Sequence, residues 1–375
     1  MENLVIPMSP LQIAYQGKRV LVTGHTGFKG SWLTQWLLSM GAEVAGYALD
    51  PQAHETLYGE LSISDRLSVD CRADLSDRVA LNKLVADFAP EIIFHLAAQP
   101  LVRLSYEIPV ETFATNVLGT VHLLDAVRLA GSSCAVVCVT TDKCYENREW
   151  LNAYREEDTM GGHDPYSASK GAAELAIASF RKSFFPSDGP IRVASARAGN
   201  VIGGGDWAKD RIVPDCIRAI RSEVPVSVRN KTATRPWQHV LEPLSGYLWL
   251  GANLASSPEA HFQGAFNFGP ELTSNRNVLE LVAELVIHTG GQWVDGSSPD
   301  DLHEASKLNL TTDKAFHLLE WQPVWSFEQT IEITAAWYIA DNSGENIVDL
   351  TSSQIIAYQT AAAQKALPWA SSKNH

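Results

Sequence analysis

The first half of the chain alternates short, β-branched apolar runs with longer stretches of helical spacing, and this alternation restricts the fold more than any other feature. Short apolar runs of this kind are typical of strands covered on both faces of a parallel sheet. The predicted strands are Arg19–Thr23 and residues 44–49, 92–96 and 135–140, and the predicted helices cover residues 31–40, 79–88 and 109–130. Repeated β–α–β units predict an α/β fold with a doubly wound parallel sheet, in which ligands bind beyond the carboxyl ends of the strands.

The second half of the chain has a looser pattern. Beyond Arg197, three consecutive glycines and several prolines divide the sequence into short pieces. One clear helix is predicted over residues 277–289, and the polar tail beyond Asp341 predicts little. We therefore expect residues 1–197 to form the main sheet domain and residues 198–375 to form mainly a smaller, loop-rich domain, with a segment that returns to the main sheet.

Composition argues against several classes of protein. The net charge of −14 disfavours nonspecific binding to nucleic acid or to an anionic membrane. The five cysteines include no Cys-x-x-Cys pair, so we expect neither a disulfide framework nor a metal site. Residues 1–4 lack the basic start of a secretory signal, and no apolar run is long enough to cross a bilayer. These features predict a cytoplasmic protein.

A glycine-rich loop follows the first predicted strand and opens the next helix. Glycines let the chain turn tightly and let the backbone approach a pyrophosphate at the positive end of the helix. The motif alone is weak, because glycines also serve ordinary strand-to-helix turns, but its strand–loop–helix context favours a dinucleotide site on a Rossmann-type sheet. The expected contacts come from Gly24, Thr26, Gly27, Phe28 and Gly30.

Asp50 ends the second predicted strand, where an acidic side chain would accept hydrogen bonds from the adenosine ribose. No arginine follows immediately to bind a 2′-phosphate, so NAD is preferred over NADP as the cofactor. The alternative is an ordinary turn aspartate before Pro51.

A tyrosine and a lysine four residues apart, Tyr166 and Lys170, lie on one face of a further helix. The usual tyrosine pKa of about 10 is too high for a base at neutral pH. A neighbouring lysine and the positive nicotinamide ring are expected to stabilise the phenolate and lower that pKa. The strand before this helix ends at Thr141, Asp142 and Lys143, which places the pair at the ligand edge of the sheet. The alternative is a plain pair of side chains on a helix surface.

The ordered set of motifs resembles the extended short-chain dehydrogenase/reductase family over nearly the whole chain. The glycine loop, Thr141 and the tyrosine–lysine pair carry this resemblance. Asp74-Leu75, the run from His95 to Ala98 at the end of the predicted strand 92–96, and Asn116 in the helix that follows add to it. The resemblance implies a structural role for Asn116 and NAD as the cofactor. Its further implied cofactor contacts are Asp74, Leu75, Leu96, Ala97, Ala98, Tyr166 and Lys170.

Within that family the chain is similar to the nucleotide-sugar 4,6-dehydratases, and among these to the branch that acts on CDP-glucose. The stretches that carry this likeness are residues 24–32, 140–150, 197–207 and 235–240. Most dehydratases of this kind carry Asp-Glu after the active-site threonine, whereas this chain carries Asp142-Lys143, as expected of the CDP-glucose branch. The likeness implies a lyase that makes a 4-keto-6-deoxy sugar for lipopolysaccharide O-antigen synthesis. It implies substrate contacts from Asn200, Arg211, Arg235 and Asn267.

The implied chemistry gives separate roles to the three residues after the predicted strand 135–140. Thr141 hydrogen-bonds the reacting oxygen, neutral Lys143 removes the C5 proton, and protonated Asp142 gives a proton to the departing 6-hydroxyl. Burial would shift both pKa values in the required direction, and the attraction within the pair would oppose both shifts. His95 and Glu146 are the next candidates for the base, and a solvated charge pair is the alternative for Asp142 and Lys143.

Two other functions stay open at this point. A nucleotide-sugar 4-epimerase of the same family shares the tyrosine step but needs no acid and base for loss of water, so Asp142-Lys143 disfavours it. A noncatalytic dinucleotide-binding regulator would be expected to lack Tyr166 or Lys170. The resemblance also implies a homodimer or homotetramer, formed through apolar faces of the helices that carry Asn116 and Tyr166.

Overall fold

The computed structural model describes residues 8–51, 56–257, 259–297 and 307–371. Residues 1–4, on which the expectation about a secretory signal rests, lie outside this part of the chain. The strands are β1 (Arg19–Thr23), β2 (Glu43–Ala48), β3 (Val69–Arg72), β4 (Ile92–His95), β5 (Cys134–Val139), β6 (Ile191–Ala198), β7 (Val201–Ile202), β8 (Val226–Val228), β9 (Thr234–Pro236), β10 (Gln238–His239), β11 (Ala265–Phe268), β12 (Asn275–Asn277) and β13 (Trp293–Asp295).

The α-helices are distributed along the whole chain. They are α1 (Pro10–Tyr15), α2 (Phe28–Ser39), α3 (Leu57–Glu60), α4 (Arg78–Phe88), α5 (Val102–Glu107), α6 (Pro109–Phe113), α7 (Gly119–Ala130), α8 (Pro165–Phe184), α9 (Ile212–Arg221), α10 (Leu241–Ser256), α11 (Val278–Thr289), α12 (Asp313–Leu319), α13 (Phe327–Asn342) and α14 (Ile347–Gln364). Among the described residues, none of these helices is both long and apolar enough to traverse a lipid bilayer.

The central sheet has seven parallel strands in the order β11-β6-β5-β4-β1-β2-β3. β1 pairs with both β2 and β4. Strands β2 and β3 therefore lie on one side of β1, and the later strands β4, β5, β6 and β11 lie on the other. A crevice forms at such a reversal, beyond the carboxyl ends of the two strands. This topology confirms the predicted doubly wound sheet of the Rossmann type.

Apolar layers cover both faces of the sheet. Along β1, Val20 and Val22 belong to one apolar cluster and Leu21 belongs to the other, as the alternation of side chains along a strand requires. One cluster includes Leu81 of α4, and the other includes Trp36 of α2. The strands are therefore buried on both sides, which explains their continuous apolar sequences.

The second half of the chain adds a strand to this sheet as well as several short pieces. β11 pairs in parallel with β6, in a register that joins Ala265 to Ser195 and Phe268 to Ala198. β7 pairs with β10, β8 with β13 and β9 with β12. The tail for which the sequence predicted little contains α14, and the ring of its Tyr358 contacts Trp36 at a centroid distance of 5.9 Å.

Residues 109–130 are helical, as predicted, but not uniformly so. α6 and α7 are joined by a π-helical segment, Ala114–Leu118, and such segments are frequent near functional sites. Asn116, within this segment, is buried and accepts a hydrogen bond from the Gln99 N–H (2.8 Å). Its amide also donates to Ser169 Oγ (2.9 Å), so Asn116 connects the loop after β4 to α8.

Candidate active site

The glycine loop between β1 and α2 packs backbone against backbone. Gly24 has a φ of +75°, and a Cβ there would lie 2.7 Å from the amide nitrogen of Ala97. A Cβ on Gly30 would lie 2.0 Å from the carbonyl oxygen of Gly24. Neither position can therefore carry a side chain unless the loop moves away from the ends of β1 and β4.

The start of α2 fits an anionic group. Its N-cap, Gly27, has no side chain to accept hydrogen bonds from the N–H groups of the first turn. The helix dipole also favours negative charge at this end. Gly27 is exposed and Phe28 is half-buried. The arrangement suits the pyrophosphate of a dinucleotide, which would bind these N–H groups.

The end of β2 lies next to the same loop. Thr26 Oγ1 donates a hydrogen bond to the carbonyl oxygen of Leu49 (3.1 Å). Asp50, the next residue, is exposed, and its carboxylate has no partner in the described part of the chain. Asp50 is therefore available as an acceptor for ribose hydroxyls.

The other predicted cofactor residues lie at the ends of β3 and β4. Asp74 is exposed and accepts a hydrogen bond from the Ser76 N–H (2.7 Å). Leu75 is buried against Gly119, where a Cβ would lie 2.7 Å from the leucine side chain. Beyond β4, the half-buried residues that lie next to the glycine loop are Leu96, Ala97 and Ala98.

The start of α8 brings Tyr166 and Lys170 to the ligand edge of the sheet. Asp164 caps this helix by accepting a hydrogen bond from the Ser167 N–H (2.9 Å), and Pro165 suits its first turn. Tyr166 and Lys170 are 9% and 7% exposed, so they are not a pair on a helix surface.

Contacts and burial set the acid–base properties of this pair. Burial raises the pKa of Tyr166 to about 12, and a hydrogen bond with Thr141 offsets only part of that shift. In the protein itself, desolvation of the phenolate dominates. The predicted lowering of this pKa by Lys170 together with the nicotinamide ring stays a prediction. Lys170 donates to the carbonyl oxygen of Val139 (3.4 Å). Burial lowers the pKa of this lysine to about 8, although the nearby Glu174 raises it.

Asp142 and Lys143 form the 3₁₀ turn that follows β5. Thr141 caps this turn, and its hydroxyl donates to Asp142 Oδ1 (2.9 Å). Asp142 is 1% exposed, and its Oδ2 has no hydrogen-bond partner among the described residues. Burial raises the pKa of Asp142, although the charge of Lys143 lowers it. A buried carboxyl group of this kind fits a proton donor and is not part of a solvated charge pair.

The second half supplies two arginines to this region. Arg211 forms an ion pair with Asp206 (2.8 Å) and interacts electrostatically with Tyr166. Arg235 is buried, and its charge helps to lower the pKa of Asp142. The half-buried Asn200 follows β6.

The surroundings of Asn267 do not suit the predicted substrate contact. Its side chain is fully buried, its Oδ1 accepts a hydrogen bond from the Tyr145 hydroxyl (2.8 Å), and its Nδ2 donates to the carbonyl oxygen of Tyr154 (3.0 Å). An enclosed amide with both ends engaged cannot reach a ligand. Asn267 instead connects β11 to the segment that follows β5.

Lys29 is a site residue that the sequence reasoning missed. It lies in the first turn of α2, where the helix dipole opposes a cation. Burial and the charge of Arg211 lower its pKa to about 8, and the charge of Asp142 raises it. The signal that could have identified Lys29 is its position between two glycines at the start of a helix, where a positive charge is unfavourable.

A buried polar network behind the site was also missed. The Glu174 carboxylate accepts hydrogen bonds from Thr140 (2.5 Å), Ser195 (2.8 Å) and Arg197 (2.8 Å). Arg197 also donates to the Tyr145 hydroxyl (2.7 Å). The network joins the ends of β5 and β6 to α8, next to the 3₁₀ turn that begins at Asp142. Its members are far apart in sequence, so only a charged residue inside the α8 pattern could have indicated it.

The two alternative bases are engaged elsewhere. His95 is buried, with its ring nitrogens 2.7 Å from Thr23 Oγ1 and 3.0 Å from Thr120 Oγ1, and burial lowers its pKa to about 3. Glu146 is exposed and pairs with Arg148 (2.9 Å). Neither side chain presents a free group to the cleft, so Lys143 stays the candidate base.

Comparisons with known proteins agree with this architecture. A CDP-glucose 4,6-dehydratase of Salmonella typhimurium is 48% identical over 354 residues, which are 92% of this chain and 98% of that protein. A CDP-paratose 2-epimerase of Salmonella typhi is 27% identical over 85% of this chain and 98% of that protein. The solved structure of a dTDP-glucose 4,6-dehydratase from Bacillus anthracis in complex with NAD has a TM-score of 0.73 at 20% identity, covering 88% of this chain and 100% of that chain. The last likeness shows a shared fold.

The family itself follows from a match along most of the sequence. The model of the GDP-mannose 4,6 dehydratase family matches residues 21–334. This span contains the glycine loop, the turn that begins at Asp142, and the two arginines Arg211 and Arg235. The chain therefore belongs to the GDP-mannose 4,6 dehydratase family.

Proposed function

We propose that the protein is a CDP-glucose 4,6-dehydratase, a lyase that converts CDP-glucose to CDP-4-keto-6-deoxyglucose and water in deoxysugar biosynthesis. The observation that carries this proposal is the arrangement of Thr141, Asp142 and Lys143 beside Tyr166 at the ligand edge of the sheet. The choice of CDP-glucose is supported by the relative of that name, which is 48% identical.

NAD is the cofactor that the site fits. The glycine loop and the start of α2 would hold the pyrophosphate, Asp50 would bind the adenosine ribose, and Lys170 would bind the nicotinamide ribose. Bound NAD supplies reversible hydride transfer, which removes hydride from C4 of the sugar and returns it to C6.

Oxidation at C4 needs a base for the 4-hydroxyl proton. Tyr166 takes this proton, and Thr141, which is hydrogen-bonded to it, orients the same oxygen. Burial alone keeps the tyrosine protonated, with a pKa of about 12. The positive charges of Lys170 and of the nicotinamide ring act against that effect when the substrate complex is assembled.

Loss of water from C5 and C6 needs a base and an acid. The 4-ketone makes the C5 proton acidic, and Lys143 in its neutral form removes it. Asp142 gives its proton to the 6-hydroxyl, which leaves as water. The proton held by Lys143 returns to C5 as C6 is reduced, which completes the 4-keto-6-deoxy sugar. The raised pKa of the buried Asp142 supports this role, because a carboxyl group must hold its proton near neutral pH to act as an acid.

The same geometry weighs against the two alternatives. A 4-epimerase has no use for a buried acid next to the reacting oxygen, and Asp142 Oδ2 is a buried oxygen without a hydrogen-bond partner in the described chain. A noncatalytic regulator has no use for a buried tyrosine and lysine that face the ligand edge together.

Product analysis with several sugar nucleotides tests the proposal. The protein is incubated with NAD and CDP-, UDP-, dTDP- or GDP-glucose, and the products are identified by mass spectrometry and NMR. We expect a 4-keto-6-deoxy product from CDP-glucose. Formation of a C4 epimer without loss of water, or no reaction with any of the four, would refute the proposal.

Two variants separate the base from the acid. Lys143→Met should still allow oxidation at C4, so that reduced nicotinamide accumulates in a single turnover, while exchange of the C5 proton with deuterated solvent stops. Asp142→Asn should retain that exchange but lose water slowly. Exchange at the normal rate in Lys143→Met would show that another group is the base.

We also propose that the protein forms a homodimer or a homotetramer. Exposed apolar side chains lie on the helical stretch of α6 and α7 and on α8, among them Val110 (74% exposed), Leu118 (53%) and Leu175 (63%). A second copy of the same helices would cover them in a symmetric contact. Light scattering of the protein and of Leu175→Glu tests this, and a monomeric parent protein would refute it.

A further inference from the structure

Two arginines from different halves of the chain approach one carboxylate. Arg103 Nη1 lies 3.5 Å from Asp210 Oδ1, and Arg229 Nη2 lies 3.6 Å from the same oxygen. Arg103 belongs to α5, in the first half of the chain, and Arg229 follows β8 in the second half. Asp210 thus lies between cations that have no other ion pair in the described chain.

This cluster, formed by Arg103, Asp210 and Arg229, lies close to the catalytic residues. Ser105, two residues after Arg103, accepts a hydrogen bond from the Tyr166 N–H (3.1 Å). Asp210 directly precedes Arg211, which interacts electrostatically with Tyr166. Arg103 and Asp210 therefore lie on segments that interact with Tyr166, and Arg229 approaches the same segment through Asp210.

Asp210 is held loosely in this position. Its distances to the two arginines exceed the 2.7–2.9 Å or so of charge-assisted hydrogen bonds, and its carboxylate accepts no hydrogen bond within the described residues. The three side chains are 31%, 44% and 37% exposed, in chain order, so solvent weakens their attraction. The backbone of Asp210 has a φ of +61°, in the left-handed region. Few contacts would be lost if this carboxylate turned outward.

The charges suit a ligand with more negative charge than one carboxylate. Two guanidinium groups and Asp210 leave one positive charge unbalanced. A diphosphate carries about two negative charges and offers several acceptor oxygens, each of which can engage the planar fork of an arginine. A diphosphate would therefore satisfy both arginines better than Asp210 does.

We infer that Arg103 and Arg229 bind the diphosphate of the nucleotide sugar and that Asp210 occupies their site until the substrate displaces it. The inference rests on the proposed function for the identity of the substrate. It assigns Asp210 an effect opposite to that of an ordinary structural ion pair, because its carboxylate competes with the ligand. Removing the carboxylate should tighten binding, and removing either arginine should weaken it.

Titration calorimetry with CDP tests this without any turnover. We expect Asp210→Asn to bind CDP about two- to tenfold more tightly, the range expected from release of two loose ion pairs. Arg103→Gln and Arg229→Gln should each bind about tenfold or more weakly, because a charge-assisted hydrogen bond to phosphate is lost. Arg103→Lys should lie between, since it keeps the charge but not the fork.

The control is Arg148→Gln, which breaks an exposed pair with Glu146 at 2.9 Å and should leave CDP affinity unchanged. Thermal unfolding of each variant verifies that it is folded. If Arg103→Gln does not fold, Arg103→Lys replaces it as the test of Arg103. Weaker or unchanged binding in Asp210→Asn would overturn the inference, as would unchanged binding in either arginine variant. A protein that binds CDP with this pattern but forms no keto sugar would contradict the proposed function alone.

Discussion

Replacing Glu174 with glutamine tests the buried ion pair behind the catalytic lysine. The Glu174 and Arg197 side chains are 5% and 4% exposed and lie 2.8 Å apart. Glutamine keeps the shape and can still accept a hydrogen bond from Thr140 or Ser195, but it leaves the guanidinium group buried without a counter-charge. Breaking such a pair costs about 3–5 kcal/mol. We expect the free energy of unfolding to fall by that amount.

Urea unfolding followed by circular dichroism measures this loss. The control is Asp87→Asn, which breaks a pair whose side chains are 63% and 74% exposed and should have no measurable effect. The double variant Glu174→Gln/Arg197→Gln should be less destabilised than Glu174→Gln, because no unpaired charge remains. A loss below about 1 kcal/mol for Glu174→Gln would refute the reasoning, since it would place the pair in the range of surface ion pairs.

The same variant has a second, functional consequence. Glu174 lies one helical turn from Lys170, and its charge raises the pKa of that lysine, which burial holds at about 8. Without the carboxylate, the lysine pKa falls further, and its positive charge is lost at lower pH. The alkaline limb of the activity profile should therefore move to lower pH. An unchanged limb would mean that the charge of Lys170 does not limit activity.

Three further predictions concern single side chains. Tyr166→Phe should fold and bind NAD but lose about 10²–10⁴ in turnover, because it lacks the base; near-normal turnover would remove Tyr166 from the mechanism. Asp50→Ala should weaken NAD binding and reduce discrimination against NADP, and unchanged affinities in titration would leave Asp50 as a turn residue. Burial raises the pKa of Glu242 from 4.5 to about 7, although hydrogen bonds from Trp325, Tyr358 and Val324 lower it. The contribution of Glu242 to the free energy of unfolding is fully present below about pH 4.5 and is lost as pH rises through 7, by roughly 3 kcal/mol at most. Glu242→Gln should remove this pH dependence. The same pH profile of unfolding in the parent protein and the variant would contradict the prediction.

Local patterns explain what the sequence could predict. Each strand of the central sheet is a short apolar run, and the glycine loop directly follows β1, so neighbouring residues determine both features. The turn after β5 and the tyrosine–lysine spacing are equally local, which is why Thr141, Asp142, Tyr166 and Lys170 could be named from sequence. The structure places these four together at the ligand edge of the sheet.

Features that depend on distant contacts could not be predicted in the same way. Asn267 follows the family pattern, but its amide is enclosed by Tyr145 and Tyr154, which precede it by more than 100 residues. α14 was not predicted, because three of its buried residues are Thr351, Gln354 and Ala362, so its buried face does not form an apolar stripe in the sequence. The effect of burial on the Tyr166 pKa could not be predicted, because desolvation depends on packing, which the spacing of two residues does not reveal.

The addition of β11 to the edge of β6 means that the two halves of the chain are not interchangeable modules. A chain that ended near residue 197 would keep β5 as a partner of β6 but would lack β11, and it would leave the outer edge of β6 open to pairing with other molecules. The last helices also lie against α2, the helix that begins at the glycine loop. Part of the packing around the helix of the nucleotide site therefore comes from the far end of the chain, so we expect a shortened product to be prone to aggregation instead of being a small, functional nucleotide binder.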